Sequence, residues 1–266
     1  MSRYAAMFEA LERRDESAFG GFLVLGDPDL ATSAKLLDAL VESGADMVEV
    51  GIPFSDPIAD GPVIQAAADR ALRQGVTPAD CFALLRSFRD RHSQVPVGIL
   101  TYANLVLARG RDAFYRAAAD AGADSVLVAD VPLFEAEPFA AAARVHGIAP
   151  VMIAAANTPP LTLRRIAALG EGYTYCVARA GVTGTREHME LDHRAMLDEL
   201  KRCNAAPLVF GFGISTPDHV RAVLAAGAAG VISGSAIVKL IAEAPTCAVA
   251  AVREFVAAMK AATRRA

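Results

Sequence analysis

A chain of 266 residues and 27.8 kDa, 54% hydrophobic and 21% charged, can bury one large core and carries no signature of disorder. Its formal net charge of −4 argues against a general nucleic-acid or anionic-membrane surface. Cys81, Cys176, Cys203 and Cys247 stand far apart with no CxxC pair, which argues against a zinc knuckle or disulfide framework and fits a reduced, cytoplasmic protein.

The opening "MSRYAAMFEALERRDES" sets Ala5, Met7, Phe8 and Leu11 near one face of a helix, the pattern of an amphipathic cap rather than a signal peptide. Three later phrases then share one design: "SGADMVEVG" from Ser43, "AGADSVLVAD" from Ala121 and "AGAAGVISG" from Ala226. Each closes a helix at a glycine (Gly44, Gly122, Gly227) and runs into a short strand rich in β-branched residues. Such helix–turn–strand units in series predict a parallel sheet.

Strands are predicted at 19–25, 46–51, 97–101, 125–129, 149–154, 173–178, 207–211 and 230–233. Helices are predicted over 31–42, 78–90, 112–121, 135–146, 160–168, 193–203, 217–226 and 244–262. Eight of each imply an α/β chain folded as one (β/α)8 TIM-barrel domain over 1–266, with an N-terminal capping helix. An open doubly wound sheet is the alternative. The uncharged run from Ala222 to Val238 is broken by Gly227, Gly230 and Gly234, so no membrane span is expected.

In such a barrel the chemistry lies at the C-terminal ends of the strands. Lys35, Lys201, Lys239 and Lys260 all fall in predicted helices, which argues against a Schiff-base enzyme on this chain. His92, His146, His188, His193 and His219 show no metal-ligand spacing, so no metal is expected. Carboxylates and tyrosine remain.

The stretch "VEVGIPFSDPIADGP", 48–62, places Glu49 inside an apolar strand. Alternation puts Met47, Glu49 and Gly51 on one face and Val48 and Val50 on the other. The valines should meet the helices, so Glu49 should point into the barrel. A carboxylate walled by apolar groups has a raised pKa and can exchange protons near neutrality. The structural alternative is a glutamate held by a buried arginine or by backbone amides.

Asp56 and Asp60 follow in a loop limited by Pro53, Pro57 and Pro62. Asp60, before Gly61, is the candidate second carboxylate; Asp56 reads equally well as a turn residue. Glycine turns come after the last strands, "AGVTG" at 180–184, "GFGIS" at 211–215 and "SGSAI" at 233–237. Converging N–H groups there, with a helix opening at Gly234 and Ser235, favour a phosphate.

The stretch at 48–62 closely resembles the signature of the tryptophan synthase α subunit family. "SVLVADVP", "VARAGVTG", "GFGIS" and "GAAGVISGSAIVK" resemble later motifs of that family in the same order, so the resemblance covers essentially the whole chain from Phe8. It implies a barrel lyase that splits indole-3-glycerol phosphate into indole and glyceraldehyde 3-phosphate, with no cofactor on this chain. It also implies a β subunit carrying pyridoxal phosphate, in an α2β2 heterotetramer.

Carried over residue by residue, the resemblance implies Glu49, Asp60 and Tyr175 as catalytic. It implies Phe22, Leu100, Leu127, Ala129 and Ile153 around the indole ring. Thr183, Gly184, Phe212, Gly213, Gly234 and Ser235 match its glycerol-phosphate and mobile-loop positions. Asp56, Pro57, Asn104, Asp130, Pro132 and Glu135 match its partner surface. The rival readings are another phosphate-binding barrel enzyme, such as a sugar-phosphate isomerase, and a non-catalytic barrel kept as an allosteric partner.

Overall fold

The computed structural model describes residues 1–177 and 186–264, without the side chains of 186–192. The short apolar runs become parallel strands: β1 (Ala18–Val24), β2 (Met47–Gly51), β3 (Val97–Thr101), β4 (Ser125–Val128), β5 (Ala149–Pro150), β6 (Met152–Ala155), β7 (Thr174–Val177), β8 (Leu208–Gly211) and β9 (Gly230–Ser233). Their order around the sheet is β5-β4-β3-β2-β1-β9-β8-β7-β6. The two ends of that order are separated in sequence by Val151 alone. They are halves of one strand, and the sheet is the expected barrel, nearly closed.

The predicted fifth strand is therefore interrupted. Its first half pairs with β4 and its second with β7. Pro150, which has no N–H to give to a ladder, stands at the break.

The helices between the strands are α1 (Arg3–Arg13), α2 (Leu30–Glu42), α3 (Pro62–Arg73), α4 (Pro78–Arg91), α5 (Ala103–Ala108), α6 (Arg111–Asp120), α7 (Glu137–Val145), α8 (Pro160–Leu169), α9 (Arg186–Arg202), α10 (Pro217–Ala225), α11 (Ser235–Glu243) and α12 (Ala248–Ala261). Gly44, Gly122 and Gly227 close α2, α6 and α10 with φ of +105°, +82° and +98°, the left-handed conformation expected of the repeated phrase.

Three helices differ from the sequence reading. Helix α9 begins at Arg186 rather than near 193. The short α5 was not foreseen. Nor was α3, although Pro62 sits in its first turn and Ile64, Ala67, Ala68 and Ala71 are buried at helical spacing. Arg70 on α3 donates to both oxygens of buried Asp27 at 2.8 Å, tying the helix that follows Asp60 to the loop after β1.

Register explains how the interior is filled. Phe22, Glu49, Gly98 and Ser125 lie side by side across β1 to β4 in one inward layer. Val48 and Val50 are fully buried on the opposite face, under the helices.

Gly98 leaves room for a side chain from outside the sheet. Tyr4 of α1 enters the barrel floor, its hydroxyl 2.9 Å from Ser125 Oγ and its ring 5.4 Å from that of Tyr173. A Cβ on Gly98 would stand 3.1 Å from that Tyr4 hydroxyl. Helix α1 is thus a plug as well as a cap. Tyr4 and Leu11 are its buried residues, Met7 and Phe8 are partly buried, and Ala5 is exposed. Among the described residues no helix is long and apolar enough to cross a membrane.

Candidate active site

Strand alternation delivers Glu49 to the barrel interior, where it is 1% exposed. Its partner there is a phenol: Tyr173 Oη donates to Glu49 Oε1 at 2.6 Å. Among the described residues no cation pairs with it, so the buried-arginine alternative finds no support there. Burial raises the Glu49 pKa to about 7, the Tyr173 hydrogen bond works against that rise, and the Asp60 charge adds to it. At neutral pH both protonation states are populated.

Asp60 comes from the loop between β2 and α3 and is half-buried. Turn hydrogen bonds from Ile58 N to Asp56 O (2.9 Å) and from Asp60 N to Pro57 O (3.1 Å) shape that loop. The Gln65 amide of α3 donates to the Asp60 carbonyl at 2.7 Å, which fixes the backbone and leaves the carboxylate free to face the mouth. Burial raises its pKa and the Tyr102 hydroxyl lowers it.

Tyr175 of β7 is buried between the rings of Tyr173 (6.5 Å) and Phe212 (6.1 Å, edge-on). Burial, and then the neighbouring carboxylates, push its hydroxyl far above the ordinary range, so it stays a neutral phenol.

These groups share a cleft at the C-terminal ends of the strands, with a cavity volume of about 150 Å³. Glu49, Asp60 and Tyr175 line it with Phe22 and Leu100, while Phe212, Gly213, Gly234 and Ser235 close the far side. Ser235 opens α11 behind Gly234, which carries no side-chain cap, so among the described residues no side chain caps the first amides of that helix beside the cleft.

Other expected residues fall elsewhere. Leu127 is buried beside Leu100 in register but does not reach the cleft, and Ala129 lies just beyond β4. Ile153 is 36% exposed and lines a separate apolar cavity against Phe139 and Ala140. Thr183 and Gly184 lie outside the described residues, as does the whole "AGVTG" turn.

Sequence reasoning missed Tyr173, Ile64 and Ile232. For Tyr173 a signal existed: alternation in "YTYC" places Tyr173 and Tyr175 on one face.

Around the cleft, three successive loops form one rim. Asp56 and Pro57 follow β2, Asn104 lies on α5 after β3, and Asp130, Pro132 and Glu135 follow β4. The rim also exposes the large apolar side chains Ile58 (80%), Leu107 (48%) and Phe134 (70%).

The arrangement defines a class: a β/α barrel with two carboxylates at its mouth, one buried and with its pKa raised to about 7. The family model for the tryptophan synthase alpha chain matches residues 8–264. A tryptophan synthase alpha chain of Escherichia coli (strain SMS-3-5 / SECEC) is 52% identical over 99% of this chain and 100% of its own length. One from Yersinia pseudotuberculosis serotype O:1b (strain IP 31758) is likewise 52% identical over the same shares. Among solved structures, tryptophan synthase subunit alpha from Legionella pneumophila str. Paris superposes with a TM-score of 0.90 at 32% identity, covering 99% of this chain and 98% of that one. A chain of Mycobacterium tuberculosis tryptophan synthase does so with 0.88 at 31%, covering 100% and 99%.

The chain belongs to the tryptophan synthase alpha chain family, a family of lyases in tryptophan biosynthesis.

Proposed function

We propose that the two carboxylates of the cleft carry the family's reaction, the retro-aldol cleavage of indole-3-glycerol phosphate to indole and glyceraldehyde 3-phosphate. The observation that carries this reading is Glu49, buried against a phenol and titrating near neutrality. Glu49 in its acid form protonates C3 of the indole ring. As a carboxylate it then takes the proton of the glycerol hydroxyl next to the breaking carbon–carbon bond. The bond's electrons return to the ring, an aldehyde forms, and no cofactor is called for on this chain. Asp60 accepts the indole N–H and stabilises the positive charge that develops on protonation.

Tyr175, held neutral, packs beside the ring with Phe22 and Leu100. Leu127 backs Leu100 behind that wall, while Ala129 and Ile153 do not line it. The glycerol phosphate lies against Phe212, Gly213, Gly234 and Ser235, where main-chain amides at the start of α11 meet its charge. The family motif assigns Gly184 to the phosphate and Thr183 to a loop of the same site. Binding the phosphate away from the reacting carbons fixes their orientation.

The rim of Asp56, Pro57, Asn104, Asp130, Pro132 and Glu135, with the exposed Ile58 and Phe134, is the docking face for a tryptophan synthase β subunit. The assembly is an α2β2 heterotetramer of the cytoplasm, and the partner carries the pyridoxal phosphate that condenses indole with serine. Because the docking loops also carry Asp60, partner binding orders the catalytic loop.

Indole release by the purified chain, alone and with a β subunit, tests this reading. Slow release alone, rising by roughly 5- to 150-fold with the partner, is the expected result. No indole in either arm, or isomer formation instead, contradicts the reaction. Equal turnover in both arms contradicts the partner effect.

A further inference from the structure

Tyr102 is the residue between β3 and α5, and it caps the helix with its backbone. It is 2% exposed, and its ring stacks on Phe54 with centroids 5.3 Å apart. Its hydroxyl lies against the Asp60 side chain and the Ala59 backbone, with no bond of ordinary geometry among the described residues. A buried hydroxyl whose partners are imperfectly aligned costs stability, and phenylalanine would fill the same space without that cost. Packing alone does not account for a tyrosine here.

The hydroxyl faces Asp60. The two residues border one small side pocket off the main cleft, between Pro57 and Leu100. Burial raises the Asp60 carboxyl, and the Tyr102 hydroxyl is the group that pulls it back. Glu49 of β2 and Tyr175 of β7 also face Asp60, and each is itself pushed up by its charge. On the other side of Tyr102, the Asp130 carboxylate accepts from Ala103 N at 2.7 Å. That bond pins the first residue of α5, so the position of Tyr102 is set by the rim loop after β4.

We propose that Tyr102 is a positioning residue for the cleavage, its hydroxyl donating to the Asp60 carboxylate once substrate is bound and turning that carboxylate toward the indole N–H. In the substrate-free cleft the hydroxyl stops short of the bond; a small settling of the 53–61 loop completes it. Apo active sites commonly show such bonds long or misaligned. The inference rests on the reading of Asp60 as the carboxylate that meets the indole ring.

The test compares wild type, Tyr102→Phe, Asp60→Asn and the double variant, in the full chain with and without its β subunit. Indole release is followed across pH, together with thermal melting. For Tyr102→Phe we expect a melting temperature equal to or above wild type and a KM within about twofold. We expect kcat to fall roughly 10- to 150-fold, the worth of one hydrogen bond to a charged group. The low-pH limb of kcat should move to higher pH, because Asp60 loses the donor that favours its ionised form. In the Asp60→Asn background the same change should do nothing further.

A lower melting temperature with the low-pH limb unmoved would make Tyr102 structural and overturn the proposal. Unchanged kcat and pH profile would overturn it too. Wild-type kcat in Asp60→Asn would instead remove the reading of Asp60 on which the proposal stands.

Discussion

Glu49→Gln is expected to fold, to lose indole release by at least about a hundredfold, and to be more stable than wild type above about pH 8. The loss of activity follows from the missing proton: an amide keeps the shape and can accept the Tyr173 hydrogen bond, but it cannot be acid and base in turn. The gain in stability follows from linkage. In the unfolded chain Glu49 ionises near 4.5, in the folded chain near 7, because burial disfavours its charge. The folded state is therefore unpenalised at pH below the unfolded value and loses stability as pH rises through the folded one. A shift of this size corresponds to about 3 kcal/mol once both states are ionised.

Glutamine carries no such penalty. At acid pH the two proteins should melt alike, and above about pH 8 the variant should be the more stable by about that amount. Denaturant unfolding at both pH values, beside an indole assay, checks both halves. A variant with near wild-type turnover would remove Glu49 from the mechanism.

Gly211→Ala is expected to lower kcat/KM by at least about tenfold, mostly through KM, and to cost about 1–3 kcal/mol of stability. Gly211 ends β8 in register with Val177, and an added Cβ would overlap the Tyr175 phenol. The strand cannot yield, because β7 and β9 hold it on both sides. Tyr175 is packed between Tyr173 and Phe212 and borders the cleft. A displaced phenol there would occupy the space of the substrate ring. Steady-state kinetics with a thermal melt decide the matter, and an unchanged KM would mean that Tyr175 is not part of the wall the substrate meets.

The parts legible in the sequence are those whose causes are local. Period-two alternation turned Glu49 inward, and glycine stops after Ser43, Ala121 and Ala226 marked the helix-to-strand joins that make a parallel barrel. Gly213 and Gly234 lie at the mouth because the turns after the last strands converge there.

What escaped reading depends on long-range fit. The Tyr173–Glu49 bond joins residues 124 positions apart, and which tyrosine of "YTYC" reaches the carboxylate is set by strand stagger. Tyr4 reaches the interior where Gly98 and Gly172 leave it room. Ile153 departs from the cleft where its strand changes neighbours. Helix α3 was a different case: Pro62 was taken as a loop restraint when it was also an N-terminal helix residue.

The central claim is that Glu49 is buried because its proton must move. The direct measurement is a carbon-13 carboxyl titration of Glu49 in the folded chain, assigned by its absence in Glu49→Gln. A midpoint near the value of about 7 that burial and the phenol give it is the predicted result. A midpoint near 4.5, the ordinary value for this side chain, would leave a permanently charged carboxylate in the barrel and contradict the account.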